Sequence, residues 1–567
     1  MVVGAGSSGA VVANRLSEDS AISVALIEAG GEGRSALIDM PGAFGVHALL
    51  KRYNWGFESE RCRGTAYRRH FCPRGKVLGG SSSINGMVYI RGDASDYDHW
   101  AQLGNRGWSY TDVLPYFRRA EANSRGADEF HGADGPLSVS DVPNDYQAAE
   151  AFVEAAKQAG HRENLDFNGA RLNGVGAYQF TVRDGQRCGT RLAYIDPVVA
   201  RRNLTILSHS HALKINLAGR RAVSVDARRG GARVTIRARR EIIVCCGAFA
   251  TPQLLMLSGI GPHDELAAHG IEVLHGLRGV GRNLIDHPDV AVGYRARRRD
   301  GFSLAPRGLL HLLGDAARYA FGRSGRLAQS LTQAGGFLCS GTHVDAPDLQ
   351  LHFAPLLYGD YGRNLRLLAI HGVSLHACLL RPRSVGSVGL RSADPQAPPR
   401  IDLNLLDRPE DVDALVEAIR LMRGIMRQPA MAEFVQDSVN DEMMPGATIN
   451  DDAALEDYVR ASCQHAYHPV GTARMGRDDM AVVDDTLKVR GLDGLRIADA
   501  SIMPYIVSGN TNAACIMIGE KAADLVRQNR SLVDDIWPEP AGAPQPARLD
   551  MSYRTASEGN DQCVSNR

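Results

Sequence analysis

VVGAGSSGAVVANRLSEDSAISVALIEAG, residues 2–30, contains the pattern that decides the fold class. A glycine-rich turn separates the apolar pair Val2–Val3 from a helical pattern, and the apolar run 22–27 follows as a second strand. The turn has the form GxGxxG, and its glycines are Gly4, Gly6 and Gly9. Such glycines let the backbone bend tightly and approach a pyrophosphate, while the helix N-terminus presents amide groups to the phosphates. The stretch therefore predicts a βαβ unit that binds a dinucleotide.

Glu28 narrows the choice of dinucleotide. It ends the second strand, about 20 residues after the glycine turn, where a carboxylate can accept hydrogen bonds from an adenosine ribose. An acid at this position disfavours a 2′-phosphate, and hence NADP.

The first predicted strand is short. Only residues 1–3 precede the glycine turn, whereas strands usually run about five or six residues. Either the natural chain begins upstream of Met1 or this strand is unusually short, and we favour the former.

The length and charge of the chain restrict its class. A chain of 567 residues exceeds what one hydrophobic core usually serves, so two or more domains are expected. Lys plus Arg and Asp plus Glu both number 64, which gives a formal net charge of zero. This balance gives nucleic-acid binding no electrostatic support over the whole chain, and we expect no nucleic-acid partner.

The cysteines and the apolar stretches indicate where in the cell the protein is expected. The ten cysteines form no CxxC pair, as expected for reduced thiols in a reducing compartment. The uncharged stretches 242–262 and 500–519 are interrupted by glycine, proline or asparagine, so neither predicts a membrane span. We expect a cytoplasmic protein without integral membrane association, for which any contact with the inner membrane is peripheral.

A second glycine-rich loop, GKVLGGSSSING, covers residues 75–86. Such a loop is either a flexible surface segment or a place where the backbone approaches a flat or anionic ligand closely. The apolar run over residues 87–90 tethers its far side and favours a ligand contact. The candidate contacts in this loop include Gly79 and Ser81.

Beyond these loops the chain alternates between two kinds of structure. Residues 204–207, 222–227 and 233–236 are typical of a small β meander, and a strand over 241–246 precedes the turn at Gly247. From 294 to 459, strands at 349–353 and 373–379 and a helix over 409–427 indicate an α+β region. A strand at 495–498 and a helix over 511–527 then return to the first domain.

Four motifs, in this order along the chain, resemble the signatures of the glucose–methanol–choline (GMC) oxidoreductase family and its bacterial alcohol and choline dehydrogenase-like branch. They are GKVLGGSSSINGMVYIRG (75–92), GAFATPQLLMLSGIG (247–261), GVGRNLIDHP (279–288) and YHPVGTARMG (467–476). The resemblance covers nearly the whole chain except the tail. It implies an α/β, Rossmann-like FAD-binding domain that is discontinuous in sequence, and an α+β substrate-binding domain with a mostly antiparallel sheet.

The resemblance also suggests domain boundaries. We predict an N-terminal FAD-binding region over residues 1–293 and a substrate-binding region over 294–459. Residues 460–530 then return to the FAD domain and carry catalytic residues. Residues 531–567 are rich in Pro, Ala, Ser and polar residues and are predicted to be a disordered tail.

The resemblance further implies roles for single residues. His468 is similar to the main catalytic histidine of the family, and Asn510 falls where members carry a second active-site histidine or asparagine. The segment with Asp499 and Ala500 resembles the piece that touches the flavin end of FAD. Asn85 and Gly86 resemble contacts beside the flavin ring.

Two departures from the family pattern matter. Ile84 occupies the position at which some members tether FAD through a histidine, so FAD is expected to be noncovalent. Gln333 occupies the position of a glutamate that choline oxidase-like members place near the substrate's ammonium group. A neutral amide does not supply that charge, which makes choline a less favoured substrate.

The function predicted from the sequence is FAD-dependent oxidation of a primary alcohol to an aldehyde. His468 would act as general base, Asn510 would orient the substrate oxygen, and flavin N5 would accept the hydride. Choline dehydrogenase and a non-catalytic FAD-binding protein are the alternatives. The electron acceptor, a quinone, another carrier or oxygen, is left open.

The sequence gives no reason to assign a catalytic role to the other histidines. His465 lies three residues before His468, but no third ligand accompanies the pair and Pro469 disfavours a continuing helix. No metal site is therefore expected. His287 and His352 are interpreted as structural.

Overall fold

The short strand Val2–Val3 lies at the centre of a parallel sheet, and both of its valines are completely buried. These features belong to a computed structural model that describes residues 1–47, 51–141, 143, 146–298, 301–341, 346–435 and 440–528. Residues Met1–Leu525 form one compact unit. The predicted tail over 531–567 lies outside the described residues.

The parallel sheet has five strands, all paired in parallel. In spatial order they are Leu204–Leu207, Val24–Ile27, Val2–Val3, Ile242–Val244 and Leu495–Ile497. The chain order reverses at Val2–Val3, whose neighbours are the second and fourth strands. In open α/β sheets, ligands bind beyond the carboxyl ends of the strands at such a switch point. The carboxyl ends of these strands are followed or adjoined by the two glycine loops, Glu28 and Asp499.

The second large sheet is antiparallel and has seven strands. They are Gly174–Ala177, Pro288–Arg295, Ala334–Leu338, Leu349–Ala354, Gly372–Leu379, Glu442–Met444 and Gln464–His465. Side chains alternate between the two faces of a strand. Leu349, Leu351 and Phe353 point into a large apolar core that also contains residues of the helices Gln147–Gln158 and Pro409–Met426. Gln350 and His352 point to the other face.

The helices follow local sequence signals. The helix Ala94–Gln102, for example, begins with a capping box in which Asp93 and Asp96 satisfy the first free amide groups. The α-helices of at least six residues are Gly9–Leu16, Ala94–Gln102, Tyr110–Ala120, Gln147–Gln158, Gly247–Leu257, His263–Ala268, Pro306–Gly322, Pro409–Met426, Asp452–Ser462 and Asn512–Gln528. In the described part of the chain, none of these helices is long and apolar enough to cross a bilayer.

The predicted meander is wrong in one strand. The meander consists of Ser210–Ala218, Arg221–Arg229 and Ala232–Arg237, whereas Leu204–Leu207 pairs with Val24–Ile27 in the parallel sheet. Only two residues separate Leu207 from Ser210. A short apolar run does not reveal which sheet it joins.

The strands of the two sheets alternate along the chain more often than the predicted regions allow. The strand Pro288–Arg295 crosses the predicted boundary at residue 293, and Gly174–Ala177 joins the antiparallel sheet from within the first predicted region. The functional division into four regions stays a prediction.

Candidate active site

The two glycine loops are in direct contact. The Gly79 amide donates to the Ala5 carbonyl oxygen over 2.8 Å. A Cβ atom added to Gly80 would lie 2.6 Å from the Gly6 Cα atom, which is closer than real Cβ contacts allow. Gly4, with φ of 99°, has the Cys245 carbonyl oxygen 2.3 Å from where its Cβ atom would be. This packing brings the backbones of both loops together at the carboxyl edge of the parallel sheet.

Glu28 is held against the first glycine loop. Its two carboxylate oxygens accept hydrogen bonds from the amides of Ala5, over 3.0 Å, and Gly30, over 2.8 Å. Burial raises the pKa of Glu28 to about 7 despite these hydrogen bonds. Each oxygen retains a further lone pair that could accept a ribose hydroxyl.

The far end of the second loop lies beside a buried arginine. Arg187 donates to the Asn85 side-chain oxygen over 2.8 Å and to the Asn85 carbonyl over 2.6 Å. Its Nη2 atom has no hydrogen-bond partner among the described residues, and burial lowers the pKa of Arg187 to about 9. A buried guanidinium with a free donor is suited to an acceptor atom of a ligand. Ser81, earlier in the loop, accepts from the Gly75 amide over 3.2 Å.

Asp499 is occupied by protein donors. Its carboxylate accepts hydrogen bonds from the amide and hydroxyl of Ser501, the Gly247 amide and the Thr251 hydroxyl, over 2.6 to 2.9 Å. This side chain fixes two turns, so contacts of this segment with a ligand would come from backbone atoms such as those of Ala500.

His468 and Asn510 are in contact, as the sequence-based roles require. Asn510 Nδ2 donates to His468 Nε2 over 3.1 Å, and Gln350 Nε2 donates to Asn510 Oδ1 over 3.0 Å. His468 Nδ1 lies 3.0 Å from His287 Nδ1. With Nε2 as an acceptor, His468 carries its proton on Nδ1 and donates it to His287. A ligand hydroxyl that replaces Asn510 Nδ2 at the Nε2 lone pair could transfer its proton to Nε2.

The surroundings keep His468 neutral. Burial and the neighbouring His287 hold the pKa of His468 well below its usual value of 6.5. His287 is completely buried, and burial lowers its pKa to about 4. A neutral imidazole is the form that can accept a proton.

Asp286 organises the three histidines. One of its oxygens accepts from the amides of His287, over 2.9 Å, and His468, over 2.8 Å. The other lies 2.8 Å from His465 Nδ1. Burial alone would lower the pKa of His465, but the Asp286 carboxylate raises it to about 10, which favours the imidazolium form.

One face of the antiparallel sheet is lined with buried polar side chains. His352 is directly opposite His376, and Gln350 is opposite Cys378, which in turn is opposite Asp289. His376 Nδ1 lies 2.9 Å from an Asp289 oxygen. Three side-chain atoms on this face lack a partner among the described residues: Gln333 Oε1, Gln350 Oε1 and His376 Nε2. Because an unpaired buried polar atom costs about 1–3 kcal/mol, this face is suited to a polar ligand.

The structure thus brings to the site two residues to which the sequence analysis gave no catalytic role. His287 was interpreted as structural, yet it contacts His468 directly, and Asp286 supports both. Their place in the motif GVGRNLIDHP was the available signal. Within the described residues, no three His, Cys, Asp or Glu side chains converge as a metal site would require.

Comparisons with known proteins decide the family. Sequence profiles described as GMC oxidoreductase match residues 1–289 and 382–519. The alcohol dehydrogenase [acceptor] of Pseudomonas putida is 42% identical over 93% of this chain and 95% of that protein. The chain belongs to the GMC oxidoreductase family.

Other GMC relatives and solved structures agree with this assignment. The oxygen-dependent choline dehydrogenase of Burkholderia mallei is 42% identical over 94% of both chains. The crystal structure of pyridoxine 4-oxidase from Mesorbium loti is similar with a TM-score of 0.84 at 31% identity, over 93% of this chain and 98% of that one. An FAD-dependent oxidoreductase from Chaetomium thermophilum has a TM-score of 0.83 at 26% identity, over 94% and 99%. The prediction of an FAD-dependent oxidoreductase that acts on CH–OH donors is confirmed.

Proposed function

We propose that this GMC oxidoreductase oxidises an uncharged primary alcohol to an aldehyde, with His468 as the general base. The observation that carries the proposal is the contact between His468 Nε2 and Asn510 Nδ2 over 3.1 Å. One atom accepts a proton and the other donates a hydrogen bond, and an alcohol being oxidised needs both.

FAD, which supplies the hydride acceptor for this reaction, fits the residues at the carboxyl edge of the parallel sheet. The close approach of Gly6 and Gly80 leaves bare backbone where a pyrophosphate would lie. Glu28 would bind the ribose, and the free Arg187 Nη2 offers a donor near Asn85. Asn85, Gly86 and the backbone around Ala500 would hold the flavin end. We assign residues 1–293 and 460–530 mainly to this role and residues 294–459 mainly to the substrate.

The proton transfer follows from the hydrogen bonds around His468. Donation from His468 Nδ1 to His287 holds the ring with Nε2 as acceptor. Removal of the hydroxyl proton by Nε2 concentrates negative charge on the substrate oxygen, and this charge drives hydride departure from the carbinol carbon. Asn510 Nδ2 would stabilise that oxygen, and Gln350 orients Asn510 by donating to its oxygen.

The preference for an uncharged alcohol is supported by Gln333. Its amide is neutral and buried, and its Oε1 atom has no partner in the described part of the chain, so it is suited to a hydroxyl or amide donor. Choline remains the second candidate for one reason in this chain. Asp289 places a carboxylate on the same sheet face, although His376 and Cys378 already contact it. The choline dehydrogenase relatives also keep this candidate open.

Anaerobic flavin bleaching separates the two substrates. Choline and 3,3-dimethylbutan-1-ol have the same shape and differ in the charge of one atom. We expect the wild type to be reduced with the higher specificity constant by the uncharged alcohol. Gln333→Glu should shift the ratio toward choline by roughly tenfold, about 1.4 kcal/mol, because it adds a carboxylate. A wild type that prefers choline would reject the substrate assignment, and no reduction by any alcohol would favour a non-catalytic FAD-binding protein.

The electron acceptor completes the reaction. A quinone, another carrier or oxygen would reoxidise the flavin, and steady-state assays with each at equal concentration rank them. We propose a cytoplasmic location, with contact to the inner membrane only at its surface.

A further inference from the structure

The helix Pro306–Gly322, called the exposed helix below, shows its apolar side chains to solvent. Leu310 is 67% exposed, Leu313 68% and Phe321 93%, and Leu309 is exposed as well. A surface helix of a globular protein normally turns such residues toward the core. Contiguous exposed apolar residues mark an interaction surface.

These side chains form one continuous stripe. At 3.6 residues per turn, Leu309, Leu313, Leu310 and Phe321 fall within an arc of about 120°. Ala317 and Ala320 lie in the same arc and are exposed too. The stripe therefore runs along most of the helix.

The opposite side anchors the helix to the protein. Tyr319 packs with Leu327 and Ala328 in a small apolar cluster, and Leu312 packs against it. Asp315 is buried and forms an ion pair of 2.6 Å with Arg326. The orientation of the stripe toward solvent is thus fixed by contacts on the other face.

The charges beside the stripe have one sign. Arg307 and Arg318 are exposed and lie along one edge of the stripe, next to His311. Neither arginine forms an ion pair with a carboxylate in the described part of the chain. The helix contains one acidic residue, Asp315, and it is on the buried side.

We propose that the exposed helix docks this protein on the surface of an anionic phospholipid bilayer. An apolar stripe flanked by arginines is the arrangement by which helices lie in a membrane interface, with leucine and phenylalanine in the acyl boundary and cations at the headgroups. The absence of an exposed acid on the helix favours an anionic surface over a mixed-charge protein partner. This inference does not depend on the proposed reaction.

The helix is close in the chain to the candidate active site. The turn Arg326–Ala328 follows it, and Ser330 then donates to the Gly86 carbonyl over 3.0 Å. Docking would bring the segment between the exposed helix and the second glycine loop near the membrane surface, where apolar alcohols and quinones concentrate.

Vesicle cosedimentation tests the docking. The full-length holoprotein is mixed with phosphatidylcholine vesicles and with vesicles that contain phosphatidylglycerol. We expect binding to the anionic vesicles that weakens with added salt. The double substitution Leu313→Asp and Phe321→Asp should lower the partition coefficient by at least roughly tenfold. Replacing Arg307 and Arg318 with glutamine should lower it by about fivefold for each arginine.

A matched control and a second measurement keep the test decisive. Leu165→Asp replaces a leucine that is 72% exposed outside this helix and should leave binding unchanged. FAD content and turnover with a soluble dye show that all variants are folded. Absence of vesicle binding, or equal loss in Leu165→Asp, overturns the proposal. Sedimentation velocity tests whether a second copy of this chain packs on the helix instead. If the wild type is a dimer and Leu313→Asp makes it a monomer, the helix is a subunit interface and the membrane proposal is overturned.

Discussion

Replacing the His468 imidazole removes the only proposed proton acceptor while leaving the glycine loops in place. His468→Ala should therefore retain FAD but slow flavin reduction by about 10²- to 10⁴-fold, the usual contribution of a general base. The wild-type rate should stay on its plateau through neutral pH and fall only well below pH 6.5, because the pKa of His468 is lowered. Stopped-flow bleaching at several pH values measures both.

The control for His468 has to be a histidine outside the site. His275, whose Nε2 atom lies 2.8 Å from the Arg490 carbonyl oxygen, is partly buried and contacts no proposed catalytic group. His275→Ala should leave the bleaching rate within about twofold of wild type. Equal slowing in both variants with FAD still bound would show that His468 is not the base.

We expect His465 to affect stability rather than proton transfer. Its pKa is raised from 6.5 to about 10 in the folded protein, so its contribution is complete below about pH 6.5 and is lost as the pH rises through about 10. The Tm difference between wild type and His465→Gln should accordingly shrink from pH 6 to pH 10. A difference that stays constant over this range would mean that His465 is neutral in the folded protein.

Ile84 determines how FAD is retained. Isoleucine has no nucleophile that could bond to the flavin, so acid precipitation should release all of the flavin, and chromatography should identify it as FAD. Flavin that remains in the washed pellet would contradict noncovalent binding.

At this scale the sequence identifies residues that lie in motifs but does not show which distant residues they contact. His468 and Asn510 were named together, and the structure places them 3.1 Å apart. Asp286 and His287 lie about 180 residues earlier, and their role is visible only once the strand Pro288–Arg295 pairs with Gln464–His465. The motif GVGRNLIDHP marks their segment, but its sequence does not show that the segment contacts the one around His468.

At the scale of loops, the contact between Gly6 and Gly80 should be sensitive to one added methyl group. Gly80→Ala introduces a Cβ atom 2.6 Å from Gly6 Cα at a backbone φ of 53°, so the loops must separate. Overpacking of this kind costs about 1–3 kcal/mol, and FAD affinity should fall by roughly ten- to a hundredfold. Fluorescence titration of the apoprotein with FAD measures the change.

Gly424→Ala is the matched control for the loop substitution. Gly424 lies within the helix Pro409–Met426 and has open space around its Cβ position. Alanine there should leave FAD affinity unchanged and raise stability slightly, because it favours helix. If both substitutions weakened FAD binding equally, the contact between the two loops would not be the cause.

The elements differ in how well their sequences predict them. The helix Pro409–Met426 and the strands Leu349–Ala354 and Gly372–Leu379 agree with prediction within one or two residues, because each combines a clear period with a clear end. The exposed helix was not predicted, although its leucines have helical spacing. An apolar period does not tell whether it faces a core or the outside.

For the whole molecule, one buried cluster joins the helix Asn512–Gln528 to three earlier segments of the chain. Glu520 is completely buried and pairs with Arg15 and Arg119, each over 2.8 Å, and Tyr194 donates to it over 2.9 Å. Glu520→Ala removes this partner from both arginines, which keep Glu18 and Asp524, and should lower stability by about 1–3 kcal/mol. Thermal unfolding would show this as a lower Tm. Glu154→Ala, which removes an exposed pair with Lys157, should change stability by less than about 1 kcal/mol.

The order of strands in the parallel sheet also has a consequence during synthesis. The strand Val2–Val3 leaves the ribosome first, but the sheet lacks its edge strand until Leu495–Ile497 has emerged. At about 5–20 residues per second this takes roughly 25 to 100 s. Through that interval the nascent chain carries unpaired strands and two glycine loops that no helix from the C-terminus yet covers. The parallel sheet, and with it the site at its carboxyl edge, can therefore be complete only after Leu495–Ile497 has emerged.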